Sequence, residues 1–279
     1  MAVIGQVLID GEPVAAEEAT ISILDVGFQR GYGCFEALRV YGGKAFRQGP
    51  HLDRLAKSAA KLHLPVPDRA DLDAWCTAIA ASSEESVVRI FVSGGIDPYN
   101  LGTSSHTILL AEEPPAEPQP AVALQSRIAP WHTDSEWFEL TGAKALSYGF
   151  NLAASNEARR AGFDDALLVG RSGNVLEGPN FSIGWIKDGA FRTPALDTGI
   201  LESITRRAAI EVAERAGITV TEGIFDLEEV LDADEVLALS TVKEISAVRR
   251  VDDREYADGP VTARLSAGFA ALVEEELGR

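Results

Sequence analysis

Three observations predict that this sequence folds as an α+β chain of two domains. Apolar runs of strand and helix periodicity mix along 279 residues without the strict strand-helix-strand succession of a doubly wound sheet. The length suffices for two ordinary domains, each with its own core. The stretch AEEPPAEPQP, Ala111 to Pro120, sets four prolines and three glutamates between two apolar segments and reads as an extended linker. We expect a first domain over residues 1–114, a linker over 115–120 and a second domain over 121–279.

The elements follow in order. VLIDG reads as a strand, and ALRVYGGKAF as a hairpin turning at Gly42 and Gly43. HLDRLAKSAAKLHL has the spacing of an amphipathic helix with Leu55, Ala59 and Leu62 on its apolar face, and VVRIFVSGG reads as a buried strand. Beyond the linker, AVALQSRIA predicts a strand. DDALLVG and VLEG predict a hairpin through Ser172 to Asn174, and SIGWIKDGAFRT predicts another. SITRRAAIEVAERAG predicts a helix and ADEVLALST a strand.

Composition excludes several classes of function. A hydrophobic content of 46% with 24% charged residues describes a soluble globular protein. The formal charge of -18 repels nucleic-acid backbones and anionic lipid, and no basic patch offsets it. The sequence has no run of 18 apolar residues and no basic, apolar leader, so we expect a cytoplasmic protein. Cys34 and Cys76 are too few for a disulfide framework and lack zinc-site spacing, so we expect reduced, partly buried thiols and no metal.

The segment GAKALSYGFNLAASNEARRAG places Lys144 directly before a helical run in which Leu152, Ala153, Ala154, Ala158 and Ala161 recur on one face. On its own, such a lysine reads as a surface residue at the end of a loop. Other stretches bear on it. His51 and Arg54 stand near the start of the first amphipathic helix, where Arg54 alone reads equally as a surface cation. Ser203, Ile204 and Thr205 stand at a helix N-terminus, which favours an anion but is also an ordinary cap. Ser240 and Thr241 end an apolar strand in what reads equally as a plain turn, and Glu177 follows a strand with no evident local duty.

Taken in order, Arg54, Lys144, Glu177, Ile204 with Thr205, and Thr241 resemble the class IV aminotransferases. These are the fold-type IV pyridoxal phosphate enzymes that include branched-chain and D-amino-acid aminotransferases and aminodeoxychorismate lyase. The resemblance covers most of the chain through GYGCFEALRVYGGKAFRQGPHLDRL, GAKALSYGFNLAASNEARRAGFDDALLV, GNVLEG, IKDGAFRTP, ITRRAAI and ADEVLALSTVKEI. It implies a small N-terminal α/β domain, a larger C-terminal pseudo-barrel domain and a homodimer.

The resemblance also implies roles. Lys144 would carry pyridoxal 5'-phosphate as an internal aldimine and shuttle the substrate proton, work that suits a lysine of lowered pKa at a loop-to-helix junction. Glu177 would pair with the pyridine nitrogen. Arg54 with Ile204, Thr205, Ser240 and Thr241 would hold the phosphate, and Tyr148 the phenolate, one residue nearer the lysine than in typical branched-chain enzymes. Phe35, Arg39, Arg89, Thr241 and Val242 would line the substrate site, with Arg30 a further cation nearby. Alternation along the strand puts Phe35, Ala37 and Arg39 on one side, so an apolar wall and a cation share a face.

The chain departs from the family pattern at several positions. Val87 replaces the tyrosine of the branched-chain Tyr-x-Arg while Arg89 is kept, and Ser93, Gly94 and Gly95 replace the Arg-Gly of the D-amino-acid enzymes and the lyase. Ser182 and Ser203 stand where relatives carry asparagine and glycine. We expect ping-pong transamination from a branched-chain L-amino acid to 2-oxoglutarate. A D-amino-acid or (R)-amine aminotransferase, or the lyase, is the alternative. A non-catalytic protein on the same scaffold is a third reading, against which the intact Lys144 and Glu177 argue.

Overall fold

The computed structural model describes residues 2–115, 120–133 and 138–279, so residues 116–119 of the expected linker lie outside the described residues. The chain divides into two compact units, one of Met1–Ala116 with Ala143–Tyr148 and one of Glu117–Gly142 with Gly149–Arg279. The segment that contains Lys144 therefore groups with the N-terminal unit, although the expected boundary would give it to the second domain.

The first unit is built on strands β1 (Val3–Ile9), β2 (Glu12–Ala15), β3 (Gly33–Tyr41), β4 (Lys44–Ala45), β5 (Glu85–Ser93) and β6 (Thr107–Glu112), with helices α1 (Val26–Arg30), α2 (Gln48–Lys61) and α3 (Arg69–Ala80). The strands form one antiparallel sheet in the order β2-β1-β6-β5-β3-β4. The β3–β4 hairpin turns at Gly42 and Gly43, both at positive φ (57° and 72°), the pair of conformations that matches the twist of the flanking strands. Strand alternation divides the side chains of β3 between two faces. Cys34, Glu36, Leu38 and Val40, with Val88, Ile90 and Val92 of β5 and Leu109 and Ala111 of β6, are fully buried on the face that meets α2. Each large aliphatic there adds roughly 1.5 to 3 kcal/mol of transfer free energy. Cys34 and Cys76 belong to this core as free thiols and are wholly rather than partly buried.

The second unit carries β7 (Val122–Ile128), β8 (Asp165–Val169), β9 (Ser182–Lys187), β10 (Ala190–Pro194), β11 (Val220–Gly223), β12 (Glu235–Ser240), β13 (Glu244–Val251) and β14 (Arg254–Glu255). Its helices are α4 (Gly149–Arg160), α5 (Ile204–Arg215), α6 (Leu227–Leu231) and α7 (Pro260–Leu277). Its mixed sheet runs β11-β10-β9-β12-β13-β7-β8, with β14 beside β13. The fold is thus α+β, and among the described residues parallel pairs occur only at β10–β11, β13–β7 and β7–β8. Trp185, Ile183, Val236, Ala238, Leu124 and Leu167 centre one core, and Leu168, Leu176, Ala158 and Ile200 another. The expected hairpin after β8 closes through Leu168 N–H to the Glu177 carbonyl (2.8 Å) and Gly170 N–H to the Asn174 carbonyl (2.7 Å), with Val169 and Val175 its bridge pair.

Helix α4 differs from expectation in two ways. It begins at Gly149, five residues after Lys144. Its buried face is Ala154, Ser155 and Ala158, while Leu152, Ala153 and Ala161 face solvent. The Ser155 hydroxyl donates to the buried Asp165 carboxylate at 2.6 Å, and that contact fixes which face turns inward.

Candidate active site

In the first unit, residues 144–146 do not form a loop-to-helix junction but add a short antiparallel rung to the edge of β3. Phe35 N–H donates to the Lys144 carbonyl (3.0 Å), Leu146 N–H donates to the Gly33 carbonyl (2.8 Å), and Cys34 and Ala145 form the bridge pair. The Lys144 N–H donates to Ser58 Oγ of α2 at 3.1 Å. The backbone of Lys144 is therefore held from both sides while its side chain extends over aromatic carbon. Lys144 Nζ sits 4.3 Å from the centroid of the Phe35 ring. Phe35 in turn stacks with Phe91 (6.3 Å, 20°) and meets Tyr148 edge-on (5.6 Å, 83°). Phe35, Lys144 and Tyr148, chosen from the sequence for different reasons, thus form one cluster.

Arg54 lies on the helix face of the same sheet and is not a surface cation. It is 7% exposed and donates to the fully buried Glu36, Nε to Oε1 at 2.7 Å and Nη2 to Oε2 at 2.8 Å. His51 Nδ1 lies 2.9 Å from Glu36 Oε2. Burial opposes the charge on Glu36, but the guanidinium and the imidazole override it and hold the carboxyl well below the usual range. Burial also pushes the His51 imidazole below its ordinary value, reinforced by the charges of Arg54 and Lys144 and opposed by Glu36. The sequence signal for Glu36 is an acid set between Phe35 and Ala37 in a largely apolar strand.

The substrate candidates on β3 and β5 share the opposite face, since Phe35 pairs with Phe91, Ala37 with Arg89 and Arg39 with Val87. Each arginine has an acidic neighbour. Arg39 Nη2 donates to Glu85 Oε2 at 3.1 Å, with its guanidinium 5.2 Å from the Tyr41 ring centroid, and Arg89 Nε donates to Glu112 Oε2 at 2.9 Å. Arg39 lies four residue steps along the strand from Phe35, a distance of about 13 Å, so the two share a face without touching.

In the second unit, Glu177 has a structural anchor. Both of its carboxylate oxygens accept the Leu201 N–H, at 3.2 and 3.3 Å, and His132 Nε2 stands 3.7 Å from Oε1. Ser203 caps α5 by accepting the Arg206 N–H at 3.1 Å, and its carbonyl takes the Arg207 N–H. The N–H groups of Ile204 and Thr205 are thereby left as the donors of that helix end. At the β12–β13 turn, Ser240 Oγ accepts the Lys243 N–H at 3.0 Å and Glu244 adopts φ 54°. Val242 lines a cavity of about 490 Å³ with Lys243, Ser246, Asp258 and Thr262, and Thr241 does not line it. Burial lowers the Lys243 amine below its ordinary value, against the opposing charges of Asp165 and Asp164. Among the described residues no cluster of three or more His, Cys, Asp or Glu is arranged to hold a metal, and no helix is long and apolar enough to cross a membrane.

The family model described as amino-transferase class IV matches residues 33–251. The chain is a class IV aminotransferase. D-alanine aminotransferase of Listeria monocytogenes serotype 4b is 33% identical over 98% of each chain. A putative branched-chain-amino-acid aminotransferase of Methanocaldococcus jannaschii is 28% identical over 78% of this chain and 77% of its own. A hypothetical aminotransferase of Mycobacterium tuberculosis, solved in a PLP-bound form and in a form with alpha-ketoglutarate and PMP, superposes with TM-score 0.90 at 25% identity. That superposition covers 98% of this chain and 100% of the other.

Class IV aminotransferases are transaminases that use pyridoxal 5'-phosphate, which supplies an aldehyde for condensation with amines and a ring that accepts electrons. The chemistry of the side chains on these two units fits that group. It needs a primary amine against apolar surface, a carboxylate for a ring nitrogen and backbone donors for a phosphate. Lys144, Glu177 and the N-terminus of α5 are of those kinds. Glu36 occupies the Nε–Nη2 edge of Arg54.

Proposed function

We propose that this enzyme transfers the amino group of an amino acid with an apolar side chain to 2-oxoglutarate, with branched-chain L-amino acids as donors. The observation that carries this reading is the Lys144 amine lying over Phe35 in a cluster with Phe91 and Tyr148, which sets a reacting amine against apolar carbon. In this proposal Lys144 binds the cofactor covalently and, once released, moves the proton of the substrate α-carbon. Its backbone bonds to Phe35, within the chain of β3, and to Ser58 leave only the side chain to swing.

Glu177 holds a proton on the ring nitrogen. The N–H groups of Ile204 and Thr205, with Ser240, Thr241 and Arg54, receive the phosphate, and Tyr148 donates to the cofactor phenolate. Arg39 or Arg89 would accept the second carboxylate of 2-oxoglutarate by exchanging its acidic neighbour for the substrate. Thr241 and Val242 line the substrate side of the β12–β13 turn.

A second reading, D-amino-acid transamination, is favoured by the 33% identity to D-alanine aminotransferase over nearly the whole of both chains. A screen of L- and D-donors against a panel of 2-oxo acids separates the two. Turnover of L-leucine or L-valine without D-alanine supports the first reading, and D-alanine alone supports the second. Pyruvate release from aminodeoxychorismate without an acceptor would point to the lyase.

We also propose a homodimer, supported by the exposed side chains of Ile23, Leu24 and Phe28 in the first unit (74%, 58% and 69%), an apolar surface that a partner would cover. Sedimentation at a single mass of two chains tests it. A cytoplasmic location accords with Cys34 and Cys76 being free thiols.

A further inference from the structure

Glu177 and His132 approach each other inside the second unit, each side chain 15% exposed. The loop after β7 brings the imidazole there. Ala129 N–H donates to the Val169 carbonyl (2.8 Å), and His132 N–H donates to the Ala129 carbonyl (3.0 Å), closing a four-residue turn with Pro130 at its second position. Trp131 clamps the turn from outside. Its indole N–H donates to Asn151 Oδ1 of α4 at 3.0 Å, its ring stacks on Phe150 at 5.6 Å, and Asn151 Nδ2 donates to the Pro179 carbonyl at 3.3 Å. Pro179 is two residues beyond Glu177, so one chain of contacts fixes both the imidazole and the strand end that bears the acid.

The two ring nitrogens of His132 are in different surroundings. Nδ1 is buried and has no hydrogen-bond partner among the described residues, so a proton placed there would be an unsatisfied donor. Nε2 faces Glu177 Oε1 at 3.7 Å, beyond hydrogen-bond length but within electrostatic reach. The tautomer with its proton on Nε2 therefore turns a bond dipole toward the carboxylate and leaves Nδ1 as an acceptor. The ring also borders a polar cavity of about 310 Å³ lined by Arg171, Ser172, Asn174 and Thr198. The Leu201 N–H reaches both oxygens of the same carboxylate.

We infer that His132 is a positioning residue which, with the Leu201 N–H, sets the direction of the Glu177 carboxylate. The inference rests on the role proposed for Glu177 at the ring nitrogen. His132 acts through that acid and touches neither cofactor nor substrate in this assignment. An Nε2 donor aimed at one oxygen steadies the carboxylate and leaves its remaining lone pairs for the pyridine proton.

The experiment compares the wild-type holoenzyme with His132→Gln, His132→Asn and His132→Leu, each loaded with ring-15N pyridoxal 5'-phosphate, using Glu177→Gln as the reference. The amide of Gln can place an N–H near the position of Nε2, that of Asn only near Nδ1, and Leu places none. The expected result is a ring-nitrogen 15N resonance displaced toward the unprotonated form in the Asn and Leu variants and close to wild type in the Gln variant. In the displaced variants kcat should fall about tenfold, the loss that goes with one charge-assisted contact, while KM for the amino donor stays within about twofold.

Gln and Asn keep a polar side chain, so the comparison survives if the Leu variant does not fold. A displaced resonance in Glu177→Gln with wild-type signals in all three His132 variants would overturn the inference alone. Equal displacement in the Gln and Asn variants would also overturn it, because the position of the donor would then not matter. An undisplaced resonance in Glu177→Gln would overturn both the inference and the reading of Glu177 beneath it.

Discussion

The guanidinium of Arg54 grips the carboxylate of Glu36 at both oxygens, through Nε at 2.7 Å and Nη2 at 2.8 Å, inside a core where Glu36 is wholly inaccessible. Removing one member of such a pair leaves the other buried and uncompensated. Glu36→Gln should therefore cost about 3 to 5 kcal/mol at neutral pH, read as a fall in Tm or in the denaturant midpoint.

The same pair carries a pH dependence. The folded-state pKa of Glu36 is depressed, so its contribution is fully present above the ordinary carboxyl value of 4.5 and is lost as pH falls toward the folded value. The Tm gap between wild type and Glu36→Gln should thus narrow as the buffer is taken from pH 7 to pH 3. A gap that widens in acid would mean that Glu36 is protonated in the folded protein.

Lys144→Ala should abolish transamination. Borohydride reduction of the wild-type holoenzyme, followed by peptide mass analysis, should find the cofactor on the peptide containing Lys144. Full turnover by the alanine variant would remove Lys144 from the chemistry.

Glu177→Gln should retain the cofactor while kcat falls by about a hundredfold or more, because a neutral amide no longer favours a proton on the ring nitrogen. Absorbance of the bound cofactor measures the first and steady-state kinetics the second. An unchanged rate would assign the ring nitrogen to another acid.

Arg39→Ala and Arg89→Ala separate the two candidate anchors for 2-oxoglutarate. The arginine that binds the second carboxylate should, when removed, raise KM for 2-oxoglutarate about tenfold or more and leave KM for leucine or valine little changed. Equal losses for both substrates would place that arginine at the shared α-carboxylate.

Burial and the nearby Glu36 push the Cys34 thiol up to about 12, and burial with the charge of Asp73 does the same for Cys76. The native protein should therefore show no thiol reactive toward an aromatic disulfide reagent at pH 8, and two after denaturation.

Local rules explain what was legible in the sequence. The Gly42–Gly43 turn, the Ser203 cap and the alternation that sends Phe35 and Arg39 to one face each depend on residues a few positions apart. The contacts that were not legible span long separations. Lys144 is registered to β3 across more than a hundred residues, and nothing in GAKALSYG announces an extended rung in place of a helix start. Arg54 reads as a surface cation until Glu36 is known to face it from a neighbouring strand. Leu152 and Ala153 fit an apolar stripe, but Ser155 and its bond to Asp165 choose the buried face, and periodicity carries no information about such a partner. His132 carries no motif, and only the turn at Pro130 and the clamp of Trp131 bring it to Glu177.

The rung that Lys144 adds to β3 also bears on how the polypeptide can be divided. Because Ala143–Tyr148 belongs to the N-terminal unit, that unit is discontinuous in sequence. A fragment cut at the proline-rich stretch would lack the rung, leaving the Phe35 N–H and the Gly33 carbonyl as an open strand edge in a unit that also exposes the side chains of Leu24 and Phe28. An unprotected strand edge is a template for self-association. During synthesis the first unit therefore stays incomplete until the ribosome has passed residue 148, and a nascent chain stalled short of that point would be open to strand exchange with its neighbours.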